Sequence, residues 1–467
     1  MIPARCRIPK AAIPSLILLA LTLGAQAQWV EDSIDVGGAW MGGMVHNSRA
    51  DVVYGNCQYR DGIFFAIACS TNEVVASWRI PWPRGAAYDT IDNKCYVAFQ
   101  DGDEDSVMVI DGATHTRLKS IPLEWAIFPL WDPVSNRLYV SCLEENRVSV
   151  IDCAADTVIK HIQTSAGPMR MHLNNRHRKL YVQCYDSERL NIIDLKTLEV
   201  IENIRVPGYP EAGCYSEAAD KYYCGAGQEV VVVDGTADTV VKRILVVGFP
   251  RSMVSVPARA LMFVGTSYGG ADTVYVIDSN GDSVVARHGG QYEPRAMVWS
   301  EASDVVYCAN GYADNVTVVS GDGGRLLDTL RVGDAPFAFA YSPVQRRLYV
   351  GHLNCSWAYV IRDTVSGIAE LARGSEPCRD RIRAWPNPFE ASVRLEVACS
   401  DSPAAVAVYS TAGRLVWKPA RRQTTANGLN TVWNGKDSQG KEVPAGVYIA
   451  VAGGESLRNG VRMVKMR

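Results

Sequence analysis

A short apolar–aromatic–apolar pattern returns along most of this 467-residue chain at a nearly constant interval. Successive aromatic residues are separated by 42, 43, 42, 42, 40, 44 and 42 residues. The eight aromatic residues are Tyr54, Tyr96, Tyr139, Tyr181, Tyr223, Phe263, Tyr307 and Tyr349. A fixed period in this range is typical of propellers and solenoids, because each repeat buries its faces only against its neighbours. The repeat therefore constrains the fold more strongly than any single motif.

Each repeat reads as four short strands bounded by turn residues. A second β-branched run follows the aromatic one and often ends in aspartate, as in Val148–Asp152. Four strands per ~42 residues are typical of a propeller blade. The sequence predicts an all-β fold with an eight-bladed β-propeller, and seven blades are the alternative if one terminal unit is incomplete. Ser33–Gly38 resembles Leu330–Asp334 and is expected to supply the outer strand of the last blade, which would close the ring.

The repeat resembles that of the YVTN-type β-propeller proteins. The matching text is the strand Leu138–Val140, the strand Val148–Asp152 and the turn Val247–Arg251. The resemblance extends from about Asp35 to Glu370 and implies the propeller fold. It implies much less about function, because propellers serve binding, scaffolding and several kinds of catalysis.

The first residues have the organisation of a secretory signal peptide. Arg5, Arg7 and Lys10 precede an apolar run from residue 11 to 24, and Ala25-Gln26-Ala27 is a small-residue cleavage site. The alternative is an N-terminal membrane anchor, which is less well supported because the run is shorter than the ~20 residues that span a bilayer. No later stretch reaches that length, so we expect export without a transmembrane segment in the mature chain.

The C-terminal region reads as a separate small β-sandwich. Short alternating strands are separated by glycines and by the turn sequence Asn434-Gly435. The motif order P-N-P-F, G-R, W-x-G-x-D-x-x-G, G-x-Y resembles the C-terminal sorting domain of type IX secretion and the related immunoglobulin-like module. Asn434 stands where that family usually has aspartate. The resemblance implies that the type IX secretion machinery is a partner; the alternative is an ordinary adhesive sandwich.

These patterns divide the chain into four parts, and its charge follows the division. The parts are a signal peptide (1–27), a propeller (28–371), a linker (372–383) and the sorting domain (384–467). Residues 378–467 contain 14 Lys and Arg but only 7 Asp and Glu, although the whole chain has a net charge of −3. The acidic excess therefore lies in the propeller. This balance argues against nucleic-acid binding driven by bulk charge.

A charged position recurs just before the first strand of several repeats. Arg84, Arg251 and Arg295 each follow a proline in phase, and Glu211 stands at the equivalent position of another repeat. Since the innermost strands of a propeller line its channel, these residues are candidates for a ring at the channel mouth that binds an anion or carboxylate. The alternative is that each arginine pairs with a neighbouring blade.

Other residue types indicate no catalytic, metal or cofactor site. The seven histidines do not share a repeat position, and no C-x-x-C, H-E-x-x-H or phosphate-binding glycine loop occurs. Acidic turns at 101–105 and 278–282 lack the pattern of a calcium-binding loop and are expected to be hairpin turns. Cys224 and Cys308 are expected to act as small buried apolar residues. Four tryptophans, Trp78, Trp82, Trp125 and Trp131, either stack on a sugar or protein partner or pack within loops.

The leading hypothesis is an exported, cell-surface or secreted propeller that binds a protein or polysaccharide and has no catalytic chemistry of its own. The competing class is a secreted enzyme of the lactonase or quinoprotein-like oxidoreductase type, which would need acid, base or cofactor groups in the channel.

Overall fold

The computed structural model forms two compact units, residues 1–364 and 365–467. In the first unit it describes residues 28–101, 105–268 and 272–364. In the second it describes 382–385, 389, 391–397, 405–410, 415–419, 424–425, 428–453 and 459–465. The predicted signal peptide and residues 372–381 of the predicted linker lie outside these ranges.

The first unit is an eight-bladed β-propeller, as the repeat predicts, and the seven-bladed alternative is wrong. Blade 1 contains β2 (Met41–Asn47), β3 (Val52–Cys57), β4 (Ile63–Ala68) and β5 (Glu73–Arg79). Blade 2 contains β6 (Pro83–Asp89), β7 (Lys94–Phe99), β8 (Ser106–Asp111) and β9 (Arg117–Pro122). Blade 3 contains β10 (Ala126–Asp132), β11 (Arg137–Cys142), β12 (Arg147–Asp152) and β13 (Thr157–Gln163). Blade 4 contains β14 (Pro168–Asn174), β15 (Lys179–Cys184), β16 (Arg189–Asp194) and β17 (Glu199–Arg205).

The remaining blades repeat the same antiparallel order. Blade 5 contains β18 (Ala212–Ser216), β19 (Lys221–Ala226), β20 (Glu229–Asp234) and β21 (Val240–Leu245). Blade 6 contains β22 (Phe249–Val256), a 3-10 turn (Pro257–Arg259), β23 (Leu261–Ser267), β24 (Thr273–Asp278) and β25 (Ser283–Gly289). Blade 7 contains β26 (Pro294–Ser300), β27 (Val305–Asn310), β28 (Asn315–Ser320) and β29 (Leu326–Arg331). Blade 8 contains β30 (Pro336–Ser342), β31 (Arg347–His352), β32 (Trp357–Asp363) and β1 (Gln28–Asp35).

The ring closes because β1, from the start of the chain, pairs antiparallel with β32 near the end of the propeller. The predicted closing segment is confirmed, although the strand begins earlier, at Gln28. Glu31 fixes this join by accepting hydrogen bonds from Arg347 and Arg362 of blade 8. Pairing the two chain ends in one sheet leaves no open blade in the ring.

The repeat aromatic residues join each blade to the next one. Their side chains are buried, and most of their hydroxyls bond a turn of the following blade. These bonds are Tyr54 to His115 (2.8 Å), Tyr96 to Asp156 (2.8 Å), Tyr223 to Asp282 (2.6 Å), Tyr307 to Asp363 (2.7 Å) and Tyr349 to Asn72 (2.8 Å). The aromatic position is therefore kept for packing and for bonding between blades.

A lysine two residues before the aromatic residue reinforces three of these junctions. Its ammonium bonds an aspartate in the same turn of the next blade. The pairs are Lys94 with Asp156 (2.9 Å), Lys179 with Asp238 (2.7 Å) and Lys221 with Asp282 (2.6 Å). The buried apolar clusters also combine residues of adjacent blades, so no blade has a core of its own.

The second unit contains two four-stranded sheets. One has the order β33 (Ile382–Trp385), β34 (Val393–Val397), β38 (Gly428–Trp433) and β37 (Thr424–Thr425). The other has the order β36 (Leu415–Trp417), β35 (Ala405–Ser410), β39 (Gly446–Gly453) and β40 (Asn459–Lys465). Residues of both sheets form one buried cluster, as in a sandwich. In the described part of the chain, no helix has the length and hydropathy needed to cross a bilayer.

We predict that Glu31→Gln destabilises the propeller by about 1–3 kcal/mol at pH 7, because two arginines lose a charged acceptor. Burial alone would raise the pKa of Glu31, but the bonds from Arg347 and Arg362 outweigh it and lower that pKa. The lost stability is therefore present above the ordinary glutamate pKa of about 4.3 and vanishes as pH falls through the lowered folded-state pKa. Denaturant unfolding at pH 7 and pH 3 measures both effects.

The control for this experiment is Glu73→Gln, at an exposed position that starts β5. Its stability should match that of the parent protein at both pH values. Equal stability of the Glu31 variant and the parent at pH 7 would show that ring closure does not depend on this carboxylate.

Candidate functional site

The first strand of each blade lies innermost and borders the central channel, and in seven blades it carries a β-bulge near its start. In the register between the first and second strands, Arg251 of β22 and Arg295 of β26 have no partner residue in the second strand. In β6 and β14 the irregular stretch contains Arg84 and Arg170. A bulge turns a side chain away from the regular alternation. Four arginines therefore occupy the bulge of an inner strand, where the backbone re-aims a side chain beside the channel.

A cavity of about 250 Å³ lies in the channel. Its walls come from the inner strands of blades 1 and 4 to 8 and consist mainly of small and apolar residues. The titratable residues among the described lining are Arg170, His172, Glu211, Arg251 and Arg295. Three of the four predicted mouth residues are thus brought together.

Arg251 pairs with Glu211, its equivalent in the neighbouring blade. Its Nε also donates to the Ser267 hydroxyl at 3.1 Å, and its guanidinium lies 5.2 Å from the centre of the Tyr268 ring. Burial and the nearby Arg295 guanidinium lower the pKa of Arg251. Arg251 therefore lines the cavity and also pairs with an adjacent blade, as the second interpretation expected.

Arg295 and Arg84 have local partners as well. Arg295 pairs with the buried Glu293 and lies 5.7 Å from the centre of the Phe337 ring. Arg84 donates from Nε and Nη2 to the Gln100 side chain at 2.9 and 2.6 Å. Arg84 is not among the residues that line the cavity. Its guanidinium lies 5.9 Å from the centre of the Trp82 ring, and burial lowers its pKa.

The sequence reasoning missed Arg170, which differs from the other three because its side chain has neither an ion pair nor a hydrogen bond among the described residues. Its guanidinium lies over the Phe128 ring at 5.2 Å. The Arg170 side chain stays exposed to the channel, and desolvation by the surrounding blades together with the charge of Arg295 lowers its pKa. The missed signal was a shift of one residue: blade 4 reads Pro168-Met169-Arg170, where other blades read Pro-Arg.

His172 lies in the same strand, two residues beyond Arg170. Burial and the Arg170 charge lower the pKa of His172 to about 3. Its Nδ1 lies 3.0 Å from the Tyr222 hydroxyl. The ring is therefore neutral at physiological pH, and the unpaired positive charge of the cavity belongs to Arg170.

The four tryptophans do not form one group. Trp82 and Trp125 are exposed and each lies directly before an inner strand. Trp78 instead packs in β5 with its ring 5.6 Å from that of Phe64. Trp131 lies in β10 and donates from Nε1 to Asn136 at 3.1 Å. Two tryptophans thus face solvent and two are held within their blades.

Other candidate groups have structural roles. Cys224 and Cys308 are buried, as predicted, and burial raises the pKa values of both thiols. Asp278 caps the turn after β24 by accepting from the Asn280 amide at 3.0 Å, which confirms the hairpin reading. The other acidic turn includes residues 102–104, which lie outside the described ranges.

His46, Asp51 and Cys69 lie close enough together to hold a metal ion, on the far side of the ring from the bulges. Asp51 accepts hydrogen bonds from His46 (2.9 Å), Ser342 (2.6 Å) and Gln345 (3.0 Å). These bonds join blade 1 to blade 8. The group is accounted for by the contact between these two blades.

No protein-family model and no curated protein matches the chain. Among solved structures, dihydro-heme d1 dehydrogenase NirN in complex with DHE is 15% identical with a TM-score of 0.55, over 63% of this chain and 67% of that chain. Hydrazine synthase of Kuenenia stuttgartiensis is 16% identical with a TM-score of 0.51, over 71% of this chain and 98% of that chain. At such identities the likeness concerns the propeller fold alone.

We predict that Arg170→Gln raises the pKa of His172, because it removes a positive charge that opposes protonation. The rise is partial, since burial is the larger cause of the low value. Nuclear magnetic resonance titration of the histidine ring signals measures it. Arg176→Gln, in the exposed turn after β14, is the control and should leave the His172 titration unchanged. An unchanged pKa in the Arg170 variant would mean that this charge does not act on His172.

Proposed function

We propose that this chain is an exported binding protein whose propeller holds an anionic ligand in its channel. The observation that carries the proposal is Arg170, a guanidinium in the cavity with no anionic partner among the described residues. The side chain is exposed within the channel, where a ligand can reach it, while desolvation by the surrounding blades and the charge of Arg295 lower its pKa. A bound carboxylate would supply the missing countercharge and accept two parallel hydrogen bonds.

The rest of the lining supports binding over chemistry. Glu211 is occupied by Arg251, and the low pKa of His172 makes it a poor proton carrier near neutral pH. Enzymes need acid and base groups whose pKa values lie close to the working pH. The described lining therefore favours a ligand site, and it supports a binding propeller over a secreted propeller enzyme.

The C-terminal unit, in this proposal, is the type IX sorting domain that its motifs resemble. Three motif aromatics meet in its core: the Trp433 ring lies 5.5 Å from Phe389 and 5.0 Å from Tyr448. The Trp433 Nε1 also donates to the Lys436 carbonyl at 2.7 Å. The motif order P-N-P-F, W-x-G and G-x-Y thus corresponds to one packed core. The propeller is proposed to resemble the YVTN-type proteins, and the whole protein to act at the cell surface or outside the cell.

Binding of citrate, a small carboxylate anion, tests the channel site by calorimetric titration of the full-length protein. We expect Arg170→Gln to weaken citrate binding by about tenfold, because a charge-assisted bidentate contact is lost. Glu211→Gln should strengthen it, since the cavity loses its own carboxylate. Arg176→Gln is the matched control and should bind citrate as the parent does. Absence of citrate binding, or equal affinity in the parent and the Arg170 variant, would refute the anion site.

A reporter fusion tests the proposed sorting role of the C-terminal unit. A periplasmic reporter joined to residues 380–467, which include the whole of β33, should reach the surface in a host that has type IX secretion. The same fusion in a host whose type IX machinery is disabled is the control and should stay in the periplasm. Retention in both hosts would show that the tail is an ordinary sandwich rather than a sorting signal.

A further inference from the structure

One mouth of the propeller carries a circle of aromatic side chains that the channel site does not use. They lie in the segments that lead into the inner strands and in the turns between second and third strands, which open on the same mouth. Hydrogen bonds join these segments within a blade, as from the Gln58 amide to the Trp40 carbonyl (2.9 Å) and from the Leu143 amide to the Trp125 carbonyl (3.1 Å). The aromatic rim comprises Trp40, Tyr59, Trp82, Trp125, Tyr185, Tyr209, Phe249, Tyr268, Tyr292 and Tyr312.

The rim faces solvent instead of packing into the blades. Apart from the half-buried Tyr185, its side chains are 39% to 66% exposed. Several of them form pairs, with ring centres 5.8 Å apart for Trp40 and Tyr59 and 5.0 Å apart for Tyr185 and Tyr209. Exposed aromatic groups that recur around one mouth mark a binding surface.

The opposite mouth provides an internal comparison. It is built from the turns between first and second strands and between third and fourth strands, such as residues 48–51, 133–136 and 153–156. None of the hairpin turns that build this mouth contains phenylalanine, tyrosine or tryptophan. The hairpin turns at the two mouths have similar lengths, so the hairpins by themselves do not require aromatic residues.

Part of the rim is held in a strained backbone. Trp40, Trp82, Trp125, Tyr209 and Tyr292 have φ values of 59, 39, 53, 59 and 47°. Bulky residues rarely adopt this left-handed region, where glycine fits without strain. Blade 4 has glycine at the matching place, Gly167, with φ of 75°. Large aromatic groups retained where glycine would fold more easily point to a role in function.

Guanidinium groups lie directly inside the rim. Arg84 lies against Trp82, and Arg251, whose charge Glu211 balances, lies against Tyr268. Arg170 is in the cavity that opens behind them. Aromatic faces around a guanidinium-lined pocket match a ligand with apolar faces, hydroxyl edges and carboxylates. Sugar rings that bear a carboxylate have these three properties.

We infer that the rim binds glycans that contain uronic acid, with one end of the glycan in the channel. In this arrangement a terminal carboxylate meets Arg170, and the following sugar rings stack on the rim. The cavity of about 250 Å³ is below the ~300 Å³ lower limit of ordinary ligand pockets, so it holds one end while the rim carries the rest. The inference rests on the proposed anion site and specifies its ligand class.

A glycan fits these observations better than a protein partner does. The rim aromatics are spread around a circle and separated by polar loops, whereas protein hot spots cluster in one fully desolvated patch. A sugar chain needs only separate ring faces along its path. The arginines below the rim add the charge complementarity that selects acidic sugars.

The test is calorimetric titration of the full-length protein with hexasaccharides of galacturonic acid, mannuronic acid and hyaluronan. At least one should bind more tightly than citrate, and its carboxyl methyl ester should bind about tenfold more weakly. Trp40→Gly and Tyr209→Gly should each weaken glycan binding by about tenfold but leave citrate binding unchanged. Both variants should keep a folded propeller with one cooperative unfolding transition, because glycine adopts these φ values without strain. Trp29→Ala, at an exposed tryptophan in β1, is the control and should bind the glycan as the parent does.

The outcomes separate this inference from the anion site. If citrate binds through Arg170 but none of the glycans binds more tightly, the anion site stands and the glycan inference is wrong. Equal binding of the ester and the acid would overturn the acidic-sugar specificity. If the rim variants bind the glycan as tightly as the parent does, the rim is not the glycan site. If they bind no glycan differently but lose binding of a protein partner, the rim belongs to that protein.

Discussion

The contact between adjacent blades is the interaction on which the rest of this structure depends. A single four-stranded sheet has two apolar faces and cannot bury either of them alone. Each blade therefore obtains its core from its neighbours, and at five junctions the repeat tyrosine adds a hydroxyl bond to its buried ring, as from Tyr96 to Asp156. The last contact is made by β1, which brings the first and last strands of the propeller into blade 8. The stability of every blade is thus linked to the closure of the ring.

Because the packing is supplied by the blade faces, the innermost strands are free to carry a site. Their bulges break the strand alternation at one fixed position, and the side chain at that position turns toward the channel. Evolution of a binding site in this fold then requires only substitutions at a position that contributes little to the blade core. Arg84, Arg251 and Arg295 occupy it, and Phe337 occupies it in blade 8. The connections next to it form the mouth, which places the aromatic rim beside the arginines.

The fold was predictable because its physical cause recurs eight times in the sequence. A strand pattern that is ambiguous in one blade becomes secure when the same aromatic residue returns every ~42 residues in phase. The channel position of Arg251 and Arg295 was predictable for the same reason, since both follow a proline at one repeat position. Arg170 was missed because it is the second residue of the blade 4 bulge, whereas Arg84 is the first residue of an equally long bulge in blade 2. The sequence left open whether each arginine pairs with a neighbouring blade, because repeat spacing does not fix the distance between two side chains. The structure contains that pair for Arg251 and Glu211.

The sequence by itself determined the all-β architecture, the repeat that forms each blade and the segment that closes the ring. These follow from local periodicity and from the need of each repeat to bury two faces. Only the tertiary structure decided between seven and eight blades, which arginine of the cavity lacks an anionic partner among the described residues, which tryptophans face solvent and how the aromatic residues of separate repeats meet at one mouth. Those features depend on distances between side chains that lie some 40 to 300 residues apart. Such distances are set by the closure of the ring, and no local pattern encodes them.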